Sequence, residues 1–201
     1  IFLSRLSVAT YTQGGVVLLG IFSTPITVSV YSVAEQLFKA MQSVFSPIVQ
    51  AIYPYMAKEK NFSLFYKVAG GSLLLAIFGV TFGYFFAPFI IPVVFGEYWL
   101  VSIPALNIFF IGLIVNVMAV MSGYPLAVAI GRINIANKSV SYGAFVYFCL
   151  AFVLIFLDIA TPVKFAMIVV MSELFVFIYR SVTIWPIVYR MESATIRRPL
   201  I

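Results

Sequence analysis

"YSVAEQLFKAMQSVFSPIVQAIYPYMAK", residues Tyr31 to Lys58, is long and apolar enough to cross a bilayer as a helix, yet it carries Glu35, Lys39, Gln42 and Gln50 together with Pro47 and Pro54. On a soluble protein these polar groups would mark the wet face of a surface helix. The remainder of the chain rules that out. Its 201 residues are 64% hydrophobic and 9% charged, with a mean hydropathy of +1.14, whereas a soluble domain is roughly 45–50% apolar and about 25% charged. No water-facing surface can be built from so few charges, so the sequence predicts an all-helical, multi-pass integral membrane protein. The polar groups of 31–58 then lie within a membrane-spanning segment. Charged side chains there are rare and usually face a bundle interior or a water-filled path.

Walking outward from this stretch, a hydropathy reading with a window of about 20 residues gives six spans. They cover about 6–22, 30–56, 68–94, 103–130, 139–157 and 163–189. The segments between them carry turn and loop residues: "STPIT", "KEKNFS", "FGEYW", "GRINIANK" and "DIATP". None of the spans alternates polar and apolar residues as a barrel strand would. The loops are too short for an extramembrane domain, so the expected organisation is one six-helix lobe over 1–201.

Basic residues orient the lobe. Arg5, Lys58, Lys60, Lys67, Arg132, Lys138, Arg190, Arg197 and Arg198 fall on one side, Lys164 falls on the other, and Lys39 and Arg180 lie within spans. Cytoplasmic loops are enriched in Lys and Arg. Both chain ends and the two basic loops are therefore expected on the cytoplasmic side. The same dispersal of charge between apolar segments argues against a nucleic-acid partner, despite a net charge of +6. The chain has no His and a single Cys, Cys149, inside an apolar run, which leaves no metal-ligand set and no Ser-His-Asp chemistry. We expect no cofactor and no enzymatic activity. Residue 1 is Ile, and "IFLSRLSVATY" lacks the order of a cleavable signal peptide, so the chain is expected to begin inside a longer protein.

The intramembrane polar residues are the candidate site. Glu35 and Lys39 are four apart on one helical face with the acid first, the better order for an ion pair, and Gln42 and Ser46 continue the stripe. Glu173 and Arg180, seven apart, share a face of the last span. Glu35 and Lys39 fit either a substrate path or a pair that locks two helices together. Arg180 either faces the interior or snorkels to the cytoplasmic interface. Gln13, Gly14 and Gly15 fit a close helix contact or a flexible break. Pro47, Pro54 and Pro125 are expected to kink their spans, and kinked spans with interior charges are a transporter pattern.

The wording of the first two spans is specific. "FLSRLSVATYTQGGVVLLGIFS" followed by "YSVAEQLFKAMQSVFSPIVQAIYPYMAK" resembles the start of the second half of Wzx-type O-antigen flippases, polysaccharide transporters of the multidrug/oligosaccharidyl-lipid/polysaccharide export superfamily. "FGEYW", "YPLAVAIGR" and the Asn137–Ser139 opening of the fifth span agree, in order, along essentially the whole chain. The resemblance implies the C-terminal half of a two-lobe fold around a cavity that opens alternately to each side of the bacterial inner membrane. It implies a substrate, an oligosaccharide unit on undecaprenyl diphosphate moved from the cytoplasmic to the periplasmic leaflet, and partners in membrane lipid, an N-terminal lobe and the polysaccharide polymerase machinery. On that reading Lys39, Arg180 and Gln42 bind substrate, while Glu35 and Glu173 are charge partners or ion-coupling groups. The rivals are a cation-coupled drug exporter of the same superfamily, which would want a net-negative cavity, and a non-transporting truncated lobe. A membrane glycosyltransferase or polymerase would need a large extracytoplasmic loop that is missing here.

Overall fold

The computed structural model describes residues 14–196, and everything described is helix, turn or short connection. Helix α1 covers 14–22 within that range. It is followed by α2 (Pro25–Ser43), α3 (Ser46–Glu59), α4 (Phe62–Val94), a 3-10 turn (Glu97–Ser102), α5 (Ile103–Met121), α6 (Tyr124–Ala129), α7 (Ile133–Phe156) and α8 (Pro162–Ile196). Caps fix several starts: Thr24 accepts the Thr27 amide ahead of α2 and Asn61 accepts the Leu64 amide ahead of α4.

Among the described residues four helical runs are long and apolar enough to cross a membrane: Phe62–Val94, Glu97–Ala129, Ile133–Phe156 and Pro162–Met191. They correspond to the last four expected spans, with the third and fifth starting six residues earlier than hydropathy placed them. The two earlier spans do not reach that standard. The start of the first lies outside the described residues. The second is divided into α2 and α3, and its polar groups lower its hydropathy. The chain is a multi-pass, all-helical membrane protein, and four spans, rather than six, are established by length and composition.

The division has a simple cause. α2 ends at Ser43 and α5 ends at Met121, each four residues before a proline, Pro47 and Pro125. Proline has no amide hydrogen, and its ring collides with the carbonyl four residues back, so the regular ladder stops there. In each case the proline sits in the first turn of the next helix, where it is well tolerated. Pro54, inside α3, leaves its helix unbroken, as do Pro88 and Pro92 in α4 and Pro186 in α8.

α5 lies at the centre of the bundle. It packs most extensively against α8 and also against α4 and α2, while α7 packs on α8. Two buried apolar clusters result. The first holds Tyr31, Phe38, Phe109, Leu113, Tyr147 and Phe165, with the Phe38 and Phe109 rings stacked at 4.7 Å between centroids. The second holds Met56, Phe65, Met121, Leu126, Ala136, Ile184 and Val188. On the outside, α4 carries Phe78, Phe82, Phe85, Phe86 and Phe89 exposed, a face suited to lipid tails.

Small residues set the helix spacing. A Cβ built on Gly112 of α5 would stand 2.7 Å from Val170 Cγ2 of α8, and one on Gly143 of α7 would collide with Val176. Gly15 likewise admits the Tyr31 ring, so Gly14 and Gly15 form a helix contact rather than a break. Packing through small residues is the main source of helix association in lipid. Gly112→Val should therefore destabilise the detergent-solubilised protein by about 1–3 kcal/mol. Gly79→Val on α4, where a Cβ meets nothing within 4 Å, should leave the thermal midpoint unchanged. Equal midpoints for the two variants would refute this account of the α5–α8 contact.

Candidate functional site

The two apolar clusters are separated by a layer of polar side chains, and the layer can be followed along α8. Phe165, Ala166, Ile168 and Val169 belong to the first cluster, Ser172, Glu173 and Arg180 are buried polar residues, and Ile184 and Val188 belong to the second cluster. Glu173 and Arg180 are 6% and 4% exposed. At roughly 1.5 Å rise per residue the seven positions between them span about 10 Å of helix.

On α2, Lys39 Nζ lies 2.9 Å from Glu35 Oε2, and the Tyr31 hydroxyl donates to Glu35 Oε1 at 3.3 Å. The carboxylate is thus held at both oxygens. Glu35 is 9% exposed at its side chain and Lys39 37%, so the acid is anchored in the core and the ammonium reaches out from it. Tyr31, a residue the sequence reading did not single out, also packs edge-on against Phe165.

Arg180 does not snorkel. Its Nε donates to Ser139 Oγ on α7 at 2.8 Å, Nη1 donates to the Ala119 carbonyl on α5, and Nη2 reaches the Ala136 carbonyl at 3.5 Å. The Ala119 carbonyl needs this donor because of the proline break. In an unbroken helix it would accept from the amide of Gly123, but that amide turns to Val120 instead. Arg180 and the Ser122 hydroxyl take its place. Gly123 is required for the fit, since a Cβ there would stand 2.5 Å from Nη1. The forked guanidinium can join three helices in this way, and a lysine ammonium cannot.

Two adjoining cavities open from the polar layer. The smaller, about 20 Å³, is lined by Glu35, Phe38, Lys39, Gln42, Phe109, Val169 and Glu173. The larger, about 400 Å³, lies against both proline breaks and includes Gln42, Phe45, Gln50, Asn116, Tyr124, Glu173 and Arg180 in its lining. Gln42 and Glu173 line both. All five residues singled out from the sequence therefore meet at one place, and the structure adds Asn116, Tyr124 and Ser139. Asn116 and Asn107 are nine apart in the apolar run of α5, which puts them on opposite faces and carries no periodic signal. Among the described residues no group of His, Cys, Asp and Glu is arranged to hold a metal.

Comparison with known proteins finds relatives by sequence. Residues 1–60 match the family described as "Polysaccharide biosynthesis protein". A protein of Shigella dysenteriae named "Putative O-antigen transporter" is 26% identical over 159 residues, which is 77% of this chain and 40% of the relative. A protein of the same name from Escherichia coli K12 is 37% identical over 54 residues, 27% of this chain and 13% of that one. The chain is thus homologous to O-antigen transporters at modest identity, and the match spans about two fifths of the length of the first relative. No solved structure matches significantly.

The Arg180 network makes a direct prediction. Removing one partner of a buried charged network costs about 3–5 kcal/mol, so Arg180→Gln should sharply lower the thermal midpoint of the purified protein. Arg180→Lys, which keeps the charge and loses the fork, should recover little of it. Full recovery with lysine would mean that charge alone, and not the hydrogen bonds to α5 and α7, is what matters.

Proposed function

We propose that this chain is the C-terminal six-helix lobe of a flippase. In this reading it moves an oligosaccharide unit carried on undecaprenyl diphosphate from the cytoplasmic to the periplasmic leaflet of the bacterial inner membrane, for O-antigen or a related surface polysaccharide. The observation that carries the proposal is the convergence of Glu35, Lys39, Gln42, Glu173 and Arg180 on two joined cavities within an otherwise apolar bundle, in a chain similar to O-antigen transporters. The barrier to flipping is the passage of hydrated sugar and diphosphate through hydrocarbon, and a polar lining lowers it by replacing lost water contacts. The role is transport and involves no bond chemistry.

Within the proposal Lys39 is the diphosphate contact, because it projects from an anchored acid and keeps its ammonium accessible. Arg180 contributes positive potential from the cavity wall, with three of its donors given to the protein. Gln42 lies between the two. Glu35 orients Lys39, and Glu173 is the candidate for ion coupling. Two acids balanced by two bases do not give the net-negative cavity that a cation-coupled drug exporter would use. The chain ends and the loops carrying Lys58, Lys60, Arg132 and Lys138 face the cytoplasm in this scheme.

Orientation and site are tested separately. In a Cys149→Ala background, cysteines at the exposed positions Glu97 and Thr161 should react with an impermeant thiol reagent in intact spheroplasts. Those at the exposed Asn61 and Asn134 should react only after lysis. The reverse pattern would overturn the transport direction. For the site, Lys39→Ala should abolish surface polysaccharide while the protein still accumulates in the membrane. A purely structural pair predicts that each single variant of Glu35 and Lys39 lowers protein level and that the double alanine variant recovers both level and polysaccharide. Such recovery would remove Lys39 from the transport site.

A further inference from the structure

We infer that the larger cavity is a saccharide subsite for an uncharged, hydroxyl- or N-acetyl-bearing sugar, read by the carboxamides of Gln42, Gln50 and Asn116. The inference rests on the transport reading above and assigns the part of the substrate that this compartment takes. Three observations carry it.

The first is that three carboxamides from α2, α3 and α5 line one cavity of about 400 Å³. Among the described residues none of the three has a side-chain hydrogen bond to another protein group. Gln42 and Asn116 are half-buried and Gln50 is exposed, so their amides are open to water or a ligand. A carboxamide offers two donors and an acceptor side by side, which suits vicinal hydroxyls and acetamido groups.

The second observation is the distribution of charge. Arg180 is the cation of this compartment, and its Nε, Nη1 and Nη2 are committed to Ser139, Ala119 and Ala136. Lys39 belongs to the lining of the adjoining smaller cavity. Glu173 lines both, and beside Arg180 it leaves the larger compartment without net charge. A compartment of balanced charge lined by amides suits an uncharged group, and the exposed Lys39 is left for the diphosphate of the transport reading.

The third is continuity. Lys39, Gln42, Ser46 and Gln50 follow one another at helical spacings of three or four through the α2–α3 break. Ser46 also lines the larger cavity, as do the rings of Phe45 and Tyr124. Tyr124 is held by a 2.9 Å hydrogen bond from its hydroxyl to Asn137 Oδ1. Aromatic faces with negative quadrupoles receive the C–H edges of a pyranose well. A glycosyl diphosphate with its phosphates at Lys39 would thus place the adjacent sugar beside Gln42 and the next along Gln50 and Asn116.

The test uses the purified, detergent-solubilised protein and two soluble probes, a neutral N-acetylhexosamine disaccharide and a uronic-acid disaccharide, with binding read by thermal shift and calorimetry. The neutral disaccharide should stabilise the protein and the uronate should bind at least about tenfold more weakly. The double variant Gln50→Leu with Asn116→Leu removes groups bonded to no other part of the protein, so its ligand-free midpoint should match the parent. At about 0.5–1.5 kcal/mol per hydrogen bond lost, its Kd for the neutral probe should rise by about tenfold. Gly79→Val, on α4 away from both cavities, should leave that Kd unchanged. Absence of any neutral-sugar shift in the parent, equal affinity for the uronate, or an unaltered Kd in the double variant would each overturn the inference. These outcomes are independent of surface polysaccharide in the Lys39→Ala strain, so failure of the transport reading and failure of the saccharide subsite are told apart.

Discussion

The guanidinium of Arg180, bonded to a backbone carbonyl left open where α5 ends, holds the centre of this bundle together. Pro125 ends α5 at Met121, and the amide of Gly123 no longer serves Ala119. An unsatisfied carbonyl inside a membrane protein costs several kcal/mol, and non-helical backbone is tolerated there only where something else satisfies it. Arg180 reaches across from α8 to do so and takes Ser139 and Ala136 of α7 in the same fork. One charged side chain thereby fixes the positions of three helices around an irregular turn, with Gly123 leaving the space it needs.

The cavity follows from that arrangement. Both proline breaks lie against it, with Phe45 and Ser46 from one and Met121 and Tyr124 from the other in its walls. Helices that stop and restart open a gap that continuous helices would fill with side chains. The two apolar clusters above and below supply the rigidity, and the polar layer between them supplies the chemistry. α2 shows the compromise most clearly. Its Tyr31, Ala34, Glu35 and Phe38 are buried at the i, i+3, i+4, i+7 spacing of one helical face, so the acid sits in the midst of an apolar stripe. Tyr31 and Lys39 on either side of the carboxylate are what make that position tenable.

Polar residues near the cavity divide into those that hold the protein together and those that are offered to something else. Arg180, Ser139 and Ser122 are of the first kind, since their polar atoms bond to backbone or to one another. Gln42, Gln50 and Asn116 are of the second. Lys39 is intermediate, paired with Glu35 yet over a third exposed at its side chain.

By itself the sequence determined the class of protein and which of its intramembrane charges share a helical face. Composition admits only a membrane bundle, and helical spacing places Glu35, Lys39 and Gln42 on one face and Glu173 and Arg180 on another, because the 3.6-residue period is a local property of the chain. The last four spans were legible for the same reason: their apolar runs are long and nearly uninterrupted. What only the tertiary structure decided was which helices face one another and where each polar atom is satisfied. That Arg180 turns inward to Ala119, and does not reach out to the interface, depends on a carbonyl 61 residues away in sequence. That Asn116 joins Gln42 and Gln50 depends on α5 packing beside α2, a contact between distant segments that no local pattern records. Periodicity fixes the face of a helix; the partner of that face is fixed by packing across the whole bundle.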